Sequence, residues 1–195
     1  MIGRLLLCVA THQGVNLAQR FADARNKYDL AYTASRRRGK PFLIIGGPAG
    51  SVDTYDGTWI SSFAKAKKWA GIRVHGCGDL CVDLDPNACE GCEYMKADIT
   101  DLPFADKEFG AVLSSHVLEH MADADMCQAA WSELHRVADE VFVSLPNRQS
   151  IFAWLVTDHH LWVTEVGSGI LDVEERNSGA RYLVDPYRPP EMYYG

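Results

Sequence analysis

Residues 97–120 read ADITDLPFADKEFGAVLSSHVLEH, and this stretch decides the fold. An acidic strand end at Asp98 is followed by a Leu-Pro-Phe turn, a second apolar strand from Gly110 to Ser114, and a polar exit at Ser115 and His116. Two apolar runs that each end in polar residues are what an open α/β sheet shows at the carboxyl ends of its strands, where such sheets bind ligands.

The flanking sequence extends the pattern in both directions. Upstream, PFLIIGGPAG (41–50) is a continuous apolar run ending in glycines, expected of a strand buried on both faces that enters a tight turn. SSFAKAKKWAG (61–71) reads as a crossover helix, Leu80–Leu84 as the second strand and Tyr94–Ala97 as the third. Downstream, Met126, Ala130, Leu134 and Val137 recur at helical spacing behind Asp123, which is placed to cap the helix. Glu140–Leu145 (EVFVSL) is a further strand, stopped by Pro146. Strands alternating with helices predict a single α/β domain, with a Rossmann-like, doubly wound, mostly parallel sheet over residues 41–195. LWVTEV and ARYLV are weaker strand candidates, and the proline-rich tail PYRPPEMYYG is expected to be irregular. Residues 1–40 form an N-terminal helical segment of one or two helices, with Leu6, Val9, Leu17, Phe21 and Leu30 at core spacing.

Composition bounds the function. The chain has 195 residues, 47% hydrophobic and 23% charged, which is enough for one packed core. A net charge of −7 argues against gripping a nucleic-acid backbone, and the basic run Arg36-Arg37-Arg38 with Lys40 reads as a solvated loop. The apolar stretch Ile2–Ala10 is too short to span a bilayer and lacks a convincing cleavage site. A cytoplasmic protein without stable membrane insertion is expected, its six cysteines reduced.

Three groups of residues carry candidate chemistry. The glycines Gly46, Gly47 and Gly50 follow a strand, where they permit close backbone approach to a ligand. Asp83, with Leu84 beside it, ends the next strand, where a carboxylate accepts hydrogen bonds from a ribose diol. Cys77, Cys81, Cys89 and Cys92 offer a rival reading, a zinc site built on the C-x-x-C pair, although Cys81 lies inside a strand whose alternate residues face opposite ways. No metal site is assigned on that basis. Among the histidines, His116 stands at the ligand edge, and the His159-His160 pair lies after the fifth strand, flanked by Trp154 and Trp162. His120, one turn beyond His116, reads as a capping or surface residue.

From about Pro41 to Asn147 the chain resembles the class I S-adenosylmethionine-dependent methyltransferases of the type 11 branch, most strongly across residues 97–120. The resemblance implies that the cofactor is S-adenosylmethionine and that Asp98 meets the adenine amino group, with Ile99 packed on the ring. It implies that Ser115, His116 and Val117 line the methionine moiety and the transfer site, and that Gly46, Gly47 and Gly50 form the methionine-side loop. His116, His159 and His160 are then the candidate catalytic residues, acting on a small-molecule acceptor, with a homodimer left open. Two positions depart from the family: Ile44 stands where an acid is common, and Pro48 where glycine is usual. The interval between Gly50 and Asp83 is also long, with Tyr55–Trp59 as an insertion near the cofactor. The alternatives are a methyltransferase-like domain that binds or assembles without turnover, and a zinc-stabilised domain using the cysteines.

Overall fold

The computed structural model describes residues 2–49, 73–167 and 169–194. The crossover helix expected at 61–71, the insertion at 55–59 and Gly50 lie outside these residues.

Helix α1 (Ile2–Arg38) is a single helix, rich in Ala, Leu and Arg and free of proline. Gly39 stops it. At φ 64° this residue takes the left-handed conformation, and the Gly39 and Lys40 N–H groups close back on the Arg36 and Ser35 carbonyls. The basic run is therefore the helix's last turn rather than a loop. There it complements the helix dipole and pairs across the fold: Arg36 with Asp79, Arg38 with Glu140, and Lys40 with Asp139. The helix buries Ala24, Ala31 and Ala34, whereas Leu30, expected in the core, is 51% exposed. Small residues on the contact face let the helix lie close to the sheet. The side chains of Leu6, Val9 and Leu17 lie outside the described set.

Five parallel strands follow: β1 (Phe42–Ile45), β2 (Leu80–Val82), β3 (Tyr94–Met95), β4 (Phe109–Ser115) and β5 (Ala138–Ser144). Their order in the sheet is β3-β2-β1-β4-β5, all pairs parallel. The order reverses between β1 and β4, which is the switch point where ligands bind in such sheets. Alternation divides the strand residues between two cores. Phe42, Ile44, Cys81, Ala111 and Leu113 face α1. Leu43, Ile45, Val82 and Val112 face helix α2 (Ala124–Val137), which contributes Trp131 and Leu134. Asp123 caps α2 as expected, accepting from the Met126 N–H at 2.8 Å, although Met126 itself is exposed.

After β5, a short helix α3 (Ile151–Leu155) leads into a separate antiparallel sheet. Its strands β6 (Leu161–Gly167), β7 (Ile170–Glu175), β8 (Arg181–Val184) and β9 (Glu191–Tyr193) run in sequential order. The tail expected to be irregular thus contains an edge strand, since Glu191–Tyr193 pairs with Arg181–Leu183. Leu161, Val163, Leu171, Val173 and Val184 join the α2 side of the core.

The cysteines correct two expectations. Cys77 is bridged to Cys92, and Cys81 to Cys89. The link from β2 to β3 folds back over the sheet, and Cys89 drops into the core on the same side as Cys81. With all four sulfurs paired, none is a thiolate for zinc, and the reduced-thiol expectation holds only for Cys8 and Cys127. Among the described residues no helix is long and apolar enough to cross a membrane.

Candidate active site

The carboxyl ends of β1, β2 and β4 bring most of the expected residues to one edge. Gly46 leaves β1 at φ 80°, and a Cβ there would lie 2.3 Å from the Ser115 carbonyl oxygen and 2.5 Å from Val117 Cγ2. Glycine is required both by the backbone angle and by the close approach of the β4 exit. Gly47 is equally confined, since a Cβ would meet the Ala88 carbonyl at 2.0 Å. The glycine turn is thus wedged between the end of β4 and the disulfide-bridged link.

Asp83 anchors this turn. One carboxylate oxygen accepts from the Gly47 N–H at 3.3 Å and the other from the Asp85 N–H at 2.9 Å. Burial pushes its pKa up, and these N–H bonds work in the opposite direction. A carboxylate offers about four lone-pair positions. Two are taken by these N–H groups, so the carboxylate keeps acceptor capacity for the hydroxyls of a ligand. Leu84 is exposed. Asp98 Oδ1 accepts from both the N–H and the hydroxyl of Thr100, forming a local turn, and Ile99 is buried in the α2-side core.

His116 is the strained residue of the edge. At φ 56° it occupies the left-handed region, uncommon for a residue other than glycine and often associated with functional sites. Its N–H donates to the Ser144 carbonyl at the end of β5. Arg20, two turns before the part of α1 that packs on the sheet, donates from Nε to His116 Nε2 at 3.1 Å. That bond fixes the tautomer, so Nδ1–H donates to Glu119 Oε1 at 3.1 Å. Burial, aided by the Arg20 charge, pushes the His116 pKa down to about 4.

Behind His116 lies a residue the sequence reading missed. Glu119 sits on the 3₁₀ turn Leu118–His120 and is 0% exposed. Burial opposes its ionisation, but the hydrogen bond from His116 and the nearby imidazoles outweigh it and hold the carboxyl well below its usual range. His159 approaches from the segment before β6, with Nε2 3.9 Å from Glu119 Oε1. Burial pushes its pKa down to about 4. His120 bonds through Nδ1 to the Asp158 carbonyl and carboxylate; burial lowers its pKa, and Asp158 more than reverses this. His120 thus belongs to the cluster rather than capping a helix. His160 contributes its backbone, donating from N to the Glu119 carbonyl at 2.8 Å. Trp154 and Trp162 pack on each other at 4.7 Å beneath the Arg176 guanidinium. A shallow groove between Phe21, Arg25 and Asp29 of α1 and Arg73 is lined by none of these residues.

Residues 70–140 match the family model described as a methyltransferase domain. The match is narrower than the stretch expected from resemblance and leaves out the glycine turn. No curated protein sequence matches the chain. Similar solved structures include DesVI of Streptomyces venezuelae, at 14% identity over 89% of this chain and 74% of that one, with a TM-score of 0.41. Another is an S-adenosylmethionine-dependent methyltransferase of Methanosarcina mazei, at 14% identity over 74% and 89% of the respective chains, TM-score 0.36. A third, from Mesorhizobium loti, has 17% identity over 50% and 40%, TM-score 0.29. None of these distant likenesses bears on which residues of this chain act. The segment 70–140, which supplies β2 through α2, is thus similar to the methyltransferase domain family and lies on a five-stranded parallel sheet.

Proposed function

We propose that the protein transfers a methyl group from S-adenosylmethionine to a small-molecule acceptor. The observation that carries this reading is the meeting of Gly46, Asp83 and Ser115-His116 at the switch point of a five-stranded parallel sheet, within a chain whose residues 70–140 match the methyltransferase-domain family model. Asp83 would hold the ribose, Gly46 and Gly47 the methionine side together with Gly50, and Asp98 with Ile99 the adenine. Leu84 would border the ribose from its exposed position. Ser115 and His116 would line the transfer site.

When bound, the cofactor supplies an electrophilic methyl on a sulfonium, so the protein's chief task is alignment. The three histidines expected to be catalytic fit that task better than proton abstraction. His116 Nε2 already accepts from Arg20, and both His116 and His159 are pushed to about 4, a poor match for a base at neutral pH. His160 is tied in through its backbone. We therefore assign His116 a positioning role at the transfer site, with the acceptor bound as an already competent nucleophile. The two disulfides depart from the reduced cysteines expected of a cytoplasmic protein.

Calorimetric titration with S-adenosylmethionine and S-adenosylhomocysteine tests the reading. Both should bind, and Asp83→Ala should weaken them by roughly 10-fold or more, the loss of a charged hydrogen-bond acceptor. No heat at millimolar ligand would overturn it, and equal binding by the variant would remove Asp83 from the ribose.

A further inference from the structure

We propose that Glu119, His120 and His159 form a binding site for a divalent transition-metal ion. One ligand atom from each lies within 4.8 Å of the other two, the one such grouping of His, Cys, Asp and Glu among the described residues. Glu119 supplies the decisive observation. Its side chain is wholly buried, Oε1 accepts from His116, and Oε2 has no hydrogen-bond partner. A buried carboxylate oxygen left unpaired carries a large desolvation penalty. A cation at this point would remove it.

The two imidazoles are oriented as ligands rather than as partners of the carboxylate. His159 Nδ1 lies 3.2 Å from the Ala153 carbonyl, an acceptor, so the ring proton sits there and Nε2 presents its lone pair toward Glu119. His120 Nδ1 is placed in the same way, 3.1 Å from the Asp158 carbonyl and 3.2 Å from its carboxylate. A carbonyl or carboxylate behind the ligating ring is the usual outer-shell arrangement of metal-bound histidine. The 3.9 Å from His159 Nε2 to Glu119 Oε1 is too long for a hydrogen bond. It is close to the separation of about 3.4 Å between tetrahedral donors placed 2.0–2.2 Å from one ion. The backbone bond from His160 to Glu119 pins the two ligand-bearing segments together. His120, 27% exposed, leaves a route for the ion to enter.

Two nitrogens and one carboxylate favour a borderline ion such as Zn²⁺, Co²⁺ or Ni²⁺ over Mg²⁺ or Ca²⁺. Three protein donors leave coordination positions for water or an exogenous oxygen ligand. The site adjoins the transfer edge through the His116–Glu119 hydrogen bond, yet binding of the metal requires no cofactor.

Co²⁺ titration of the wild-type protein, followed by visible absorption and by metal analysis after dialysis, tests the proposal without S-adenosylmethionine present. One tightly held ion per chain is expected, with ligand-field bands and no thiolate charge-transfer band. Glu119→Gln and His159→Ala should abolish binding, His160→Ala should retain it, and Asp158→Ala should weaken it roughly 10-fold or more through the lost outer-shell partner. Substoichiometric metal in the wild type, full binding by Glu119→Gln, or a thiolate band placing the ion on cysteine would each overturn the site. If circular dichroism shows a core variant unfolded, the wild-type stoichiometry and spectrum together with the solvent-facing Asp158→Ala decide the matter.

Discussion

Gly46 is the residue whose identity is least negotiable. Alanine there would combine a left-handed backbone with a Cβ 2.3 Å from the Ser115 carbonyl, so Gly46→Ala should destabilise the protein by roughly 2 kcal/mol or more, read as a lower urea midpoint. An unchanged midpoint would mean that the glycine turn is not wedged as described. His135 makes a different kind of prediction. Burial and the nearby Lys107 charge lower its pKa from 6.5 to about 4, while its ring packs against Trp131 and Tyr187. The unfolded chain therefore binds a proton at higher pH than the folded one. The stability that neutral His135 contributes is present above about 6.5 and is lost as pH falls toward about 4. Urea unfolding at pH 7.5 and 5 should show a smaller acid loss for His135→Phe than for the wild type; parallel losses would sink the assignment. At this scale the sequence exposed the site unevenly. Gly46, Asp83 and His116 were legible because each follows an apolar strand. Glu119 was not: a charged residue in VLEHM reads as solvent-facing, and its burial depends on His159, which arrives from forty residues later.

Among the elements, α2 offers a direct measure of local signals. Asp123→Ala should cost about 1 kcal/mol by leaving the Met126 N–H without its cap, measurable as a shift in the urea midpoint. Asn at the same position should recover most of the loss. Strands β1 and β4 were readable because strands buried on both faces are continuous apolar runs, and the half-buried edge strand β5 through its Val141–Val143 run. Strand β9 was not, because Pro189 and Pro190 precede it and its pairing with β8 is a tertiary choice. The same prolines and the short length protect an exposed edge from pairing with other chains. Leu30 misled for a related reason: helical spacing identifies a stripe, but here the close-packed stripe is the one carrying Ala24, Ala31 and Ala34.

For the molecule as a whole, the nested bridges between residues 77 and 92 tie the sheet to the link that confines Gly47. Reduction should lower stability by about 3 kcal/mol, the loop-closure value for a crosslink of this span, and urea unfolding with and without a phosphine reductant measures it. If the midpoint does not move, the bridges do not restrain the unfolded chain. Spacing alone had left zinc and thiols as the options for these cysteines, because whether Cys81 meets Cys89 depends on how the link folds back. Helix α1 has a consequence for how the protein diffuses. At 37 residues it measures about 55 Å, whereas a spherical domain of this chain length has a radius of gyration of about 16 Å. The particle is therefore anisotropic, and small-angle scattering should return a larger radius with an asymmetric pair-distance distribution whose longest vector follows the helix axis.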